Sequence, residues 1–392
     1  MKYDNGAASG ALGQYVNQGG QIISRRCDDV TEYFVTVRAS SDDSFNVVYA
    51  RLAEALRDLG AQMASLEVFG FPGADVSALH SACSEITFPV TWVEEGCEQP
   101  LPLRGIQAWA VAGSRLDPVV MGGRVVGCVF ESDGVRFCRL GGLVPQDIGQ
   151  SRTEQTQAVF KTMLNVLDVA GMDFRHVLRT WFYNDAMLEW YDEFNAVRTA
   201  FFKKLHVFDG VVPASTGIGG RNAFGAALTA GLLAAKTDHI PIAAEEVASP
   251  MQCPATTYGS SFSRAVEIRT ARHRRLFVSG TASIGPDGAS VHIGDTEAQA
   301  ALTMRVVHAI LESRGMHWPD VARFIAYFKH PQDVGLFERV CAAQGIPALP
   351  VLFANTDICR HDLLFEVELD AVTPLAQDGR ILSRADVGRV AG

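Results

Sequence analysis

The chain has 392 residues, of which 48% are hydrophobic and 20% are charged, and its formal net charge is −10. At about 150 residues per domain, this length predicts two or three folded domains. The 36 glycines and 16 prolines match ordinary globular usage, which excludes collagen-like and low-complexity proteins. An acidic chain does not neutralise the phosphates of a duplex, so we do not expect nucleic acid as a partner.

The cysteine pattern and the N-terminus both favour a cytoplasmic protein. The eight cysteines contain no CxxC pair, which predicts buried free thiols in place of a disulfide framework. The first residues, MKYDNGAASG, lack the apolar run of a signal peptide, and the longest small and apolar stretch, 224–235, is too short to cross a membrane. We expect no membrane partner, and a monomer or weak homo-oligomer.

The predicted elements begin in an N-terminal region, residues 1–115, which contains a predicted helix at 45–60 and predicted strands near 65–71 and 86–93. Two similar segments follow, GMDFRHVLRTWFYND from Gly171 and GMHWPDVARFIAYFKHP from Gly315. Each reads as a strand after a Gly-Met pair, so the chain contains an internal repeat.

Matching elements surround the two segments. A strand hairpin comes first, then a long amphipathic helix that begins with Thr-Glu as its expected N-cap and first turn, and a second helix follows the strand. The ranges are 125–143, 153–170 and 186–204 in the first half, and 274–288, 296–314 and 332–344 in the second. This order predicts an α/β fold of the two-layer α+β kind, in which each unit is a mixed sheet with two helices on one face. The predicted units span 116–240 and 255–374, with a loosely ordered tail at 375–392.

The halves differ in their acidic residues when they are aligned at Pro213 and Pro347. Glu366 and Glu368 alternate along the last strand of the second half, so their side chains share one face. No Asp or Glu occurs between residues 210 and 237 of the first half. We therefore predict one active site at the junction of the halves, with its acid supplied by the second half.

Other motifs are weak. The glycine-rich stretch 217–225 fits neither GxGxxG nor the P-loop, and the histidines form no HExxH motif. A GxSxG elbow is also missing from the sequence. We expect no metal ion and no organic cofactor.

Four motifs together resemble the RidA/YjgF-like superfamily, and within it the chorismatase family. They are VSGTASI (278–284), the pattern of His292, Gly294, Asp295 and Gln299, DICRHDLLFEVE (357–368) and PASTGIG (213–219). The resemblance covers about residues 100–372. It implies two tandem RidA-like units behind an N-terminal extension, without a cofactor. It also implies hydrolysis of the enolpyruvyl ether of chorismate, which releases pyruvate and either a hydroxybenzoate, with 3-hydroxybenzoate favoured, or a dihydroxycyclohexadiene carboxylate.

The resemblance also suggests roles for individual residues. Glu366, the first Glu of the E-x-E pair, corresponds to the general acid that protonates the terminal methylene of the substrate, and burial would raise its pKa as this task requires. Cys359 corresponds to a cysteine linked to hydroxybenzoate formation, where it assists proton removal from the ring or only shapes the pocket. Arg360 is expected to alternate to the opposite face.

A substrate with two carboxylates requires donors, for which bidentate arginine is favoured. The candidate donors are Arg139, Arg198, Arg221 and Lys329, together with the hydroxyl of Tyr183. Ser215, Thr216 and Gly217 are candidates for an anion-binding nest of hydroxyl and N–H groups.

Three positions depart from the family pattern as we understand it. Phe182 replaces an Asn, Val197 replaces a Gly, and Lys329 replaces an Arg, and each could alter the choice of substrate. The alternatives are an imine or enamine deaminase, the better-known activity of the superfamily, and a catalytically silent protein that binds a small ligand. Simple deaminases are single units, whereas this chain carries two unequal ones.

Overall fold

The computed structural model describes residues 12–17, 20–71, 86–94, 102–237 and 242–375. Its strands form three six-stranded sheets. The first sheet contains β1 (Leu12–Asn17), β2 (Gly20–Cys27), β3 (Val30–Arg38), β4 (Gln62–Phe69), β5 (Val90–Val93) and β6 (Gly105–Ala112). The second contains β7 (Leu116–Met121), β8 (Arg124–Ser132), β9 (Val135–Leu143), β10 (Val177–Asn184), β11 (Ala214–Gly219) and β12 (Leu228–Lys236). The third contains β13 (Ala243–Val247), β14 (Ala265–Arg269), β15 (His273–Ala282), β16 (Val321–Phe328), β17 (Val351–Asn355) and β18 (Phe365–Pro374).

All three sheets have the same strand order. Numbered within each sheet, the order is 1-2-3-6-4-5, and the fourth and fifth strands are parallel while the other neighbours are antiparallel. The predicted mixed sheet is therefore confirmed. The N-terminal region, which the sequence repeat did not include, forms the first of these sheets and has the same strand order as the other two. We refer to the parts of the chain that contain the three sheets as units 1, 2 and 3.

Helices pack on one face of each sheet. They are α1 (Phe45–Asp58), α2 (Arg152–Val169), α3 (Tyr191–Lys204), α4 (Thr296–Ser313) and α5 (Leu336–Ala343). In α4 the buried residues Ala300, Met304, Val307 and Leu311 recur at helical spacing and pack against β15 and β18, as an amphipathic helix on a sheet requires.

The long helices of units 2 and 3 begin and end at specific signals. Ser151 and Asp295 are the N-caps, and they accept the N–H groups of Glu154 and Ala298. The prediction that Thr-Glu provides the cap was therefore wrong by one or two residues. Each helix is followed by a glycine with positive φ, Gly171 or Gly315, because the left-handed conformation that ends a helix favours glycine.

The other faces of the three sheets meet in a shared central core. Phe69, Tyr183 and Tyr327 occupy corresponding positions on β4, β10 and β16, and the ring of Phe69 contacts both tyrosines edge-on at 6.1 and 6.4 Å. The central strands are thus buried on both faces.

The unit boundaries follow the sheets. The second sheet runs from Leu116 to Lys236, and the third begins at β13, upstream of residue 255. The segment 376–392, most of the tail expected to be loosely ordered, lies outside the described residues.

Candidate active site

A cavity of about 610 Å³ lies between units 2 and 3. Unit 2 contributes α3 and β11, while unit 3 contributes β15, β18 and the segments before β14 and β18. The cavity has the size and the interface position that are typical of small-molecule sites. Of the predicted site residues, it brings together Glu366, Cys359, Arg198, Ser215 and Gly217.

Glu366 lies on β18, lines this cavity and is 4% exposed. Its carboxyl group packs on Gly280 of β15 so closely that a Cβ atom at Gly280 would lie 2.1 Å from Glu366 Oε1. Burial is the main cause that raises the pKa of Glu366 to about 8; the charge of Glu368 acts in the same direction, and Arg264 opposes both. Glu366 is therefore a carboxylic acid that keeps its proton at neutral pH.

Glu368 lies two residues further along the same strand and behaves in the opposite way. It accepts hydrogen bonds from Arg179 Nη2 and Trp181 Nε1, both at 3.0 Å, and pairs with Arg323 Nη1 at 2.6 Å. Burial alone would raise its pKa, but Arg323 and Arg179 hold the pKa of Glu368 at about 2. The E-x-E pair thus consists of one protonated and one ionised carboxyl group.

Cys359 and Arg360 line the cavity beside the acid. Burial and the nearby Glu366 raise the pKa of Cys359 to about 12, so the group is a neutral thiol at neutral pH. Arg360 donates through Nη1 to the carbonyl of Gly288 at 2.9 Å. The expectation that Arg360 points away was wrong because residues 359–360 form a bend, where the alternation of a strand does not apply.

Cationic side chains outnumber acidic ones around the cavity. Arg198, Lys203, Arg264 and Arg360 line it together with Asp192 and Glu366. Arg198 is 1% exposed and donates to Asn195 Oδ1 at 2.6 Å and to Ser215 Oγ at 3.3 Å. Arg264 binds the Cys253 carbonyl through Nε and Nη2. This charge balance suits a ligand with more than one negative charge.

Gly217 has no side chain, and this leaves space for the ring of Tyr191. A Cβ atom there would lie 2.9 Å from the hydroxyl oxygen of Tyr191, at the start of α3. Gly217 therefore serves the site by allowing Tyr191 to pack closely against β11.

Five predicted binding residues lie outside the cavity lining, and one of them is Arg221. Arg139 is paired with Glu67 in the central core, and Tyr183 is 1% exposed beside Phe69. Lys329 donates to the carbonyl of His361 at 3.0 Å and pairs with Asp357. Thr216 is 1% exposed and binds protein groups on both sides. Arg139, Lys329 and Thr216 are therefore engaged by other protein groups, while the hydroxyl group of Tyr183 is buried without a hydrogen-bond partner among the described residues.

The two further departures from the family pattern, Phe182 and Val197, pack in the apolar core of unit 2. Arg221 lines a different cavity of about 200 Å³, together with Asp185 and Asp357.

The sequence analysis missed several lining residues, namely Tyr191, Asn195, Tyr258, Phe262 and Arg264. Tyr191 and Asn195 lie seven and three residues before Arg198, so they share one face of α3 with it, and that spacing could have revealed them. Tyr258, Phe262 and Arg264 lie between β13 and β14, in a segment with no periodic signal.

A carboxyl group at the position of Glu366 distinguishes unit 3 from units 1 and 2. In the sheet registers, Tyr327 pairs with Glu366, Tyr183 with Thr229, and Phe69 with Gly105. The positions in units 2 and 1 that correspond to Glu366 therefore carry no carboxyl group.

A separate buried group contains possible metal ligands, Cys27, Asp133 and His273. Arg25 Nη1 lies 2.7 Å from His273 Nδ1 and 3.8 Å from Asp133 Oδ2. A guanidinium group in this position repels a metal ion, so we interpret the group as part of a hydrogen-bond network between the units.

Comparison with known proteins identifies relatives of the chain. A chorismatase from Streptomyces rapamycinicus is 29% identical over 263 residues, which cover 60% of this chain and 76% of that protein. A 3-hydroxybenzoate synthase from Streptomyces hygroscopicus is 27% identical over 271 residues, which cover 62% of this chain and 75% of that protein. A crystal structure of a chorismatase matches with a TM-score of 0.58 and 23% identity, over 79% of this chain and 92% of that one. The chain is a relative of the chorismatases.

The match to a chorismatase structure confirms the fold class that the sequence resemblance implied. No protein-family model matches this chorismatase relative. Within the described ranges, none of its helices is both long enough and apolar enough to span a lipid bilayer.

Proposed function

We propose that the chain hydrolyses the enolpyruvyl ether of chorismate and releases pyruvate. The observation that carries this proposal is the protonated, buried Glu366 in the lining of a cationic cavity. The names of the curated relatives support the same substrate and favour it over the deaminase and the silent ligand-binding protein.

Glu366 acts as the general acid. It delivers its proton to the terminal methylene carbon of the enolpyruvyl group, which leaves an oxocarbenium ion at the ether carbon. Water adds to that carbon, and the resulting hemiketal collapses to pyruvate and the ring alcohol. A carboxyl group with a pKa near the working pH suits this step because it is both protonated and able to donate.

The cations of the cavity hold the carboxylates of the substrate. Arg198, Arg264 and Arg360 line the same cavity as Glu366, and a guanidinium group binds a carboxylate through paired N–H donors. Ser215 and the hydroxyl groups of Tyr191 and Tyr258 add neutral donors to the lining.

Cys359 acts after pyruvate release, on the ring. The ring product is a dihydroxycyclohexadiene carboxylate, and loss of water from it gives a hydroxybenzoate, for which 3-hydroxybenzoate is favoured. A relative named 3-hydroxybenzoate synthase supports this product. We propose a cytoplasmic enzyme, monomeric or weakly associated, that uses neither a metal ion nor an organic cofactor.

The test is incubation with chorismate, with pyruvate measured in a coupled assay and the ring product by mass spectrometry. We expect turnover by the wild-type chain and none by Glu366→Gln, which keeps the shape of the side chain but has no proton to deliver. Glu312→Gln, on the exposed side of α4, is the matched control and should turn over normally. Release of pyruvate by Glu366→Gln at the wild-type rate, or no release by the wild type, contradicts the proposal.

The pH dependence follows from the same group. Because the acid must be protonated, activity should persist at neutral pH and fall as the pH rises through the pKa of Glu366, which is about 8. If the activity is already lost as the pH rises through about 5, the general acid is a carboxyl group with an ordinary pKa, and the proposal is contradicted.

A further inference from the structure

Glu366, the proposed catalytic acid, packs against a bulge in β15. The pairing of β15 with β18 shifts register between Val278 and Thr281, so the residues between them leave the regular ladder of hydrogen bonds. Bulges of this kind redirect backbone groups, and they occur often beside active sites. Here the redirected groups of Ser279 and Gly280 bind unit 2.

Two hydrogen bonds connect the bulge to β11. The backbone N–H of Ser215 donates to Ser279 Oγ at 2.9 Å, and the backbone N–H of Gly280 donates to Thr216 Oγ1 at 3.1 Å. The position of Gly280, on which Glu366 packs, is therefore set by a side chain of the neighbouring unit.

Thr216 is itself held by charged groups in the central core. Its Oγ1 accepts from Arg179 Nη2 at 3.0 Å, and its hydroxyl group also hydrogen-bonds Glu368. Arg179 in turn pairs with Glu368 at 3.0 Å and donates to the carbonyl of Val278, just before the bulge. One hydroxyl group thus joins the bulge to the ionised carboxylate and to its arginine.

We infer that Thr216 is a positioning residue for Glu366: it fixes the Gly280 peptide and keeps the Gly280 N–H from binding the Glu366 carboxylate. This inference rests on the proposed role of Glu366 as the acid. Without the Thr216 hydroxyl group, the partly buried Gly280 N–H loses its partner, which is costly. Glu366 Oε1 lies against Gly280, 2.1 Å from where a Cβ atom would stand, and a hydrogen bond from the freed N–H to the ionised carboxylate would favour loss of the proton.

Other groups also face Glu366 and must stay constant in a test. Glu368 and Arg264 act on its pKa, and Glu366 itself acts on Cys359 and Tyr191. The remaining titratable or charged residues of the cavity lining are Asp192, Arg198, Lys203, Tyr258 and Arg360. A Thr216→Val variant substitutes none of these side chains, and it removes one hydrogen bond to them, from the Thr216 hydroxyl group to Glu368.

The interface between units 1 and 2 provides a matched control. There the N–H of Gly142 donates to Thr91 Oγ1 at 3.0 Å, in the same relation as Gly280 to Thr216. The position that corresponds to Glu366 is Thr229. Removal of the Thr91 hydroxyl group therefore breaks an equivalent contact at an interface where Thr229 stands in the position of Glu366.

The experiment compares Thr216→Val, Thr216→Ser and Thr91→Val with the wild type. Protonation of Glu366 is followed by infrared difference spectroscopy of its carboxyl band, assigned by subtraction of the Glu366→Gln spectrum, and kcat and KM for pyruvate release are measured against pH. We expect Thr216→Val to lower the midpoint of the Glu366 band and the basic limb of kcat by about one pH unit, a tenfold change in the proton affinity, with KM little changed.

Thr216→Ser, which restores the hydroxyl group, should return the midpoint to the wild-type value, and Thr91→Val should leave it there. An unchanged midpoint in Thr216→Val, or an equal shift in Thr91→Val, overturns the inference. The infrared midpoint needs no substrate. A wild type that releases no pyruvate would therefore refute the proposed function, while the positioning role would still be decided by the infrared titration.

Discussion

Substitution of Gly280 by alanine tests whether the position of the Glu366 carboxyl group determines the rate. The added Cβ would lie 2.1 Å from Glu366 Oε1 and 3.2 Å from its Cδ, while real contacts of a Cβ are essentially never below 3.0 Å. Gly280 has no positive φ, so its backbone accepts alanine. The carboxyl group must therefore move by about 1 Å, and a displacement of that size costs about 100-fold in rate.

The assay is pyruvate release coupled to oxidation of NADH, with kcat and KM determined separately. We expect kcat of Gly280→Ala to fall by about 100-fold while KM changes little, because the cations that we propose to hold the substrate are not displaced. Gly335→Ala is the control, since a Cβ there meets no atom within 4 Å and the residue is exposed. A Gly280→Ala enzyme with the kcat of the wild type would refute the reasoning.

Three further predictions concern the neighbours of the acid. Cys359→Ala should change the ratio of aromatic to dihydroxycyclohexadiene product in mass spectrometry, and an identical profile would limit Cys359 to packing. Arg323→Met leaves the buried carboxylate of Glu368 without its 2.6 Å partner, so urea unfolding should show a loss of about 3–5 kcal/mol; a loss below about 1 kcal/mol would contradict the pairing. Since the pKa of Glu368 is held at about 2 against its ordinary value of 4.5, its stabilising effect is complete above the higher value and lost as the pH falls towards the lower one. Glu368→Gln should remove that part of the acid unfolding curve, and an unchanged curve would contradict this account.

Much of the fold could be predicted because it is encoded locally. The helical spacing of apolar residues in α2 and α4, the glycines that end them and the β-branched runs of β10 and β16 are short-range signals. The sequence repeat did not include unit 1, because its helix α1 is followed by Gly-Ala in place of Gly-Met. The strand order shows that unit 1 is equivalent to units 2 and 3.

The candidate acid was also accessible to sequence reasoning, since the alternation of Glu366 and Glu368 and the lack of acids at 210–237 distinguish the two halves. The position of each cationic side chain, in the core or in the cavity lining, could not be predicted from the sequence. Arg139 and Arg198 look alike in the sequence, but one pairs with Glu67 in the core and the other lines the cavity. An ion-pair partner such as Glu67 lies in another unit and is distant in the sequence, so no local sequence pattern predicts the pairing.

The sequence by itself therefore determined the elements, two of the three units and the carboxyl group that we propose as the general acid. The tertiary structure decided which side chains surround that carboxyl group, and it separated Glu366 from Glu368, two residues apart on one strand. The physical reason is that protonation depends on the charges and the burial around a group. Arg179 and Arg323 reach Glu368 from other strands, whereas Glu366 packs on a glycine whose position Thr216 of unit 2 sets.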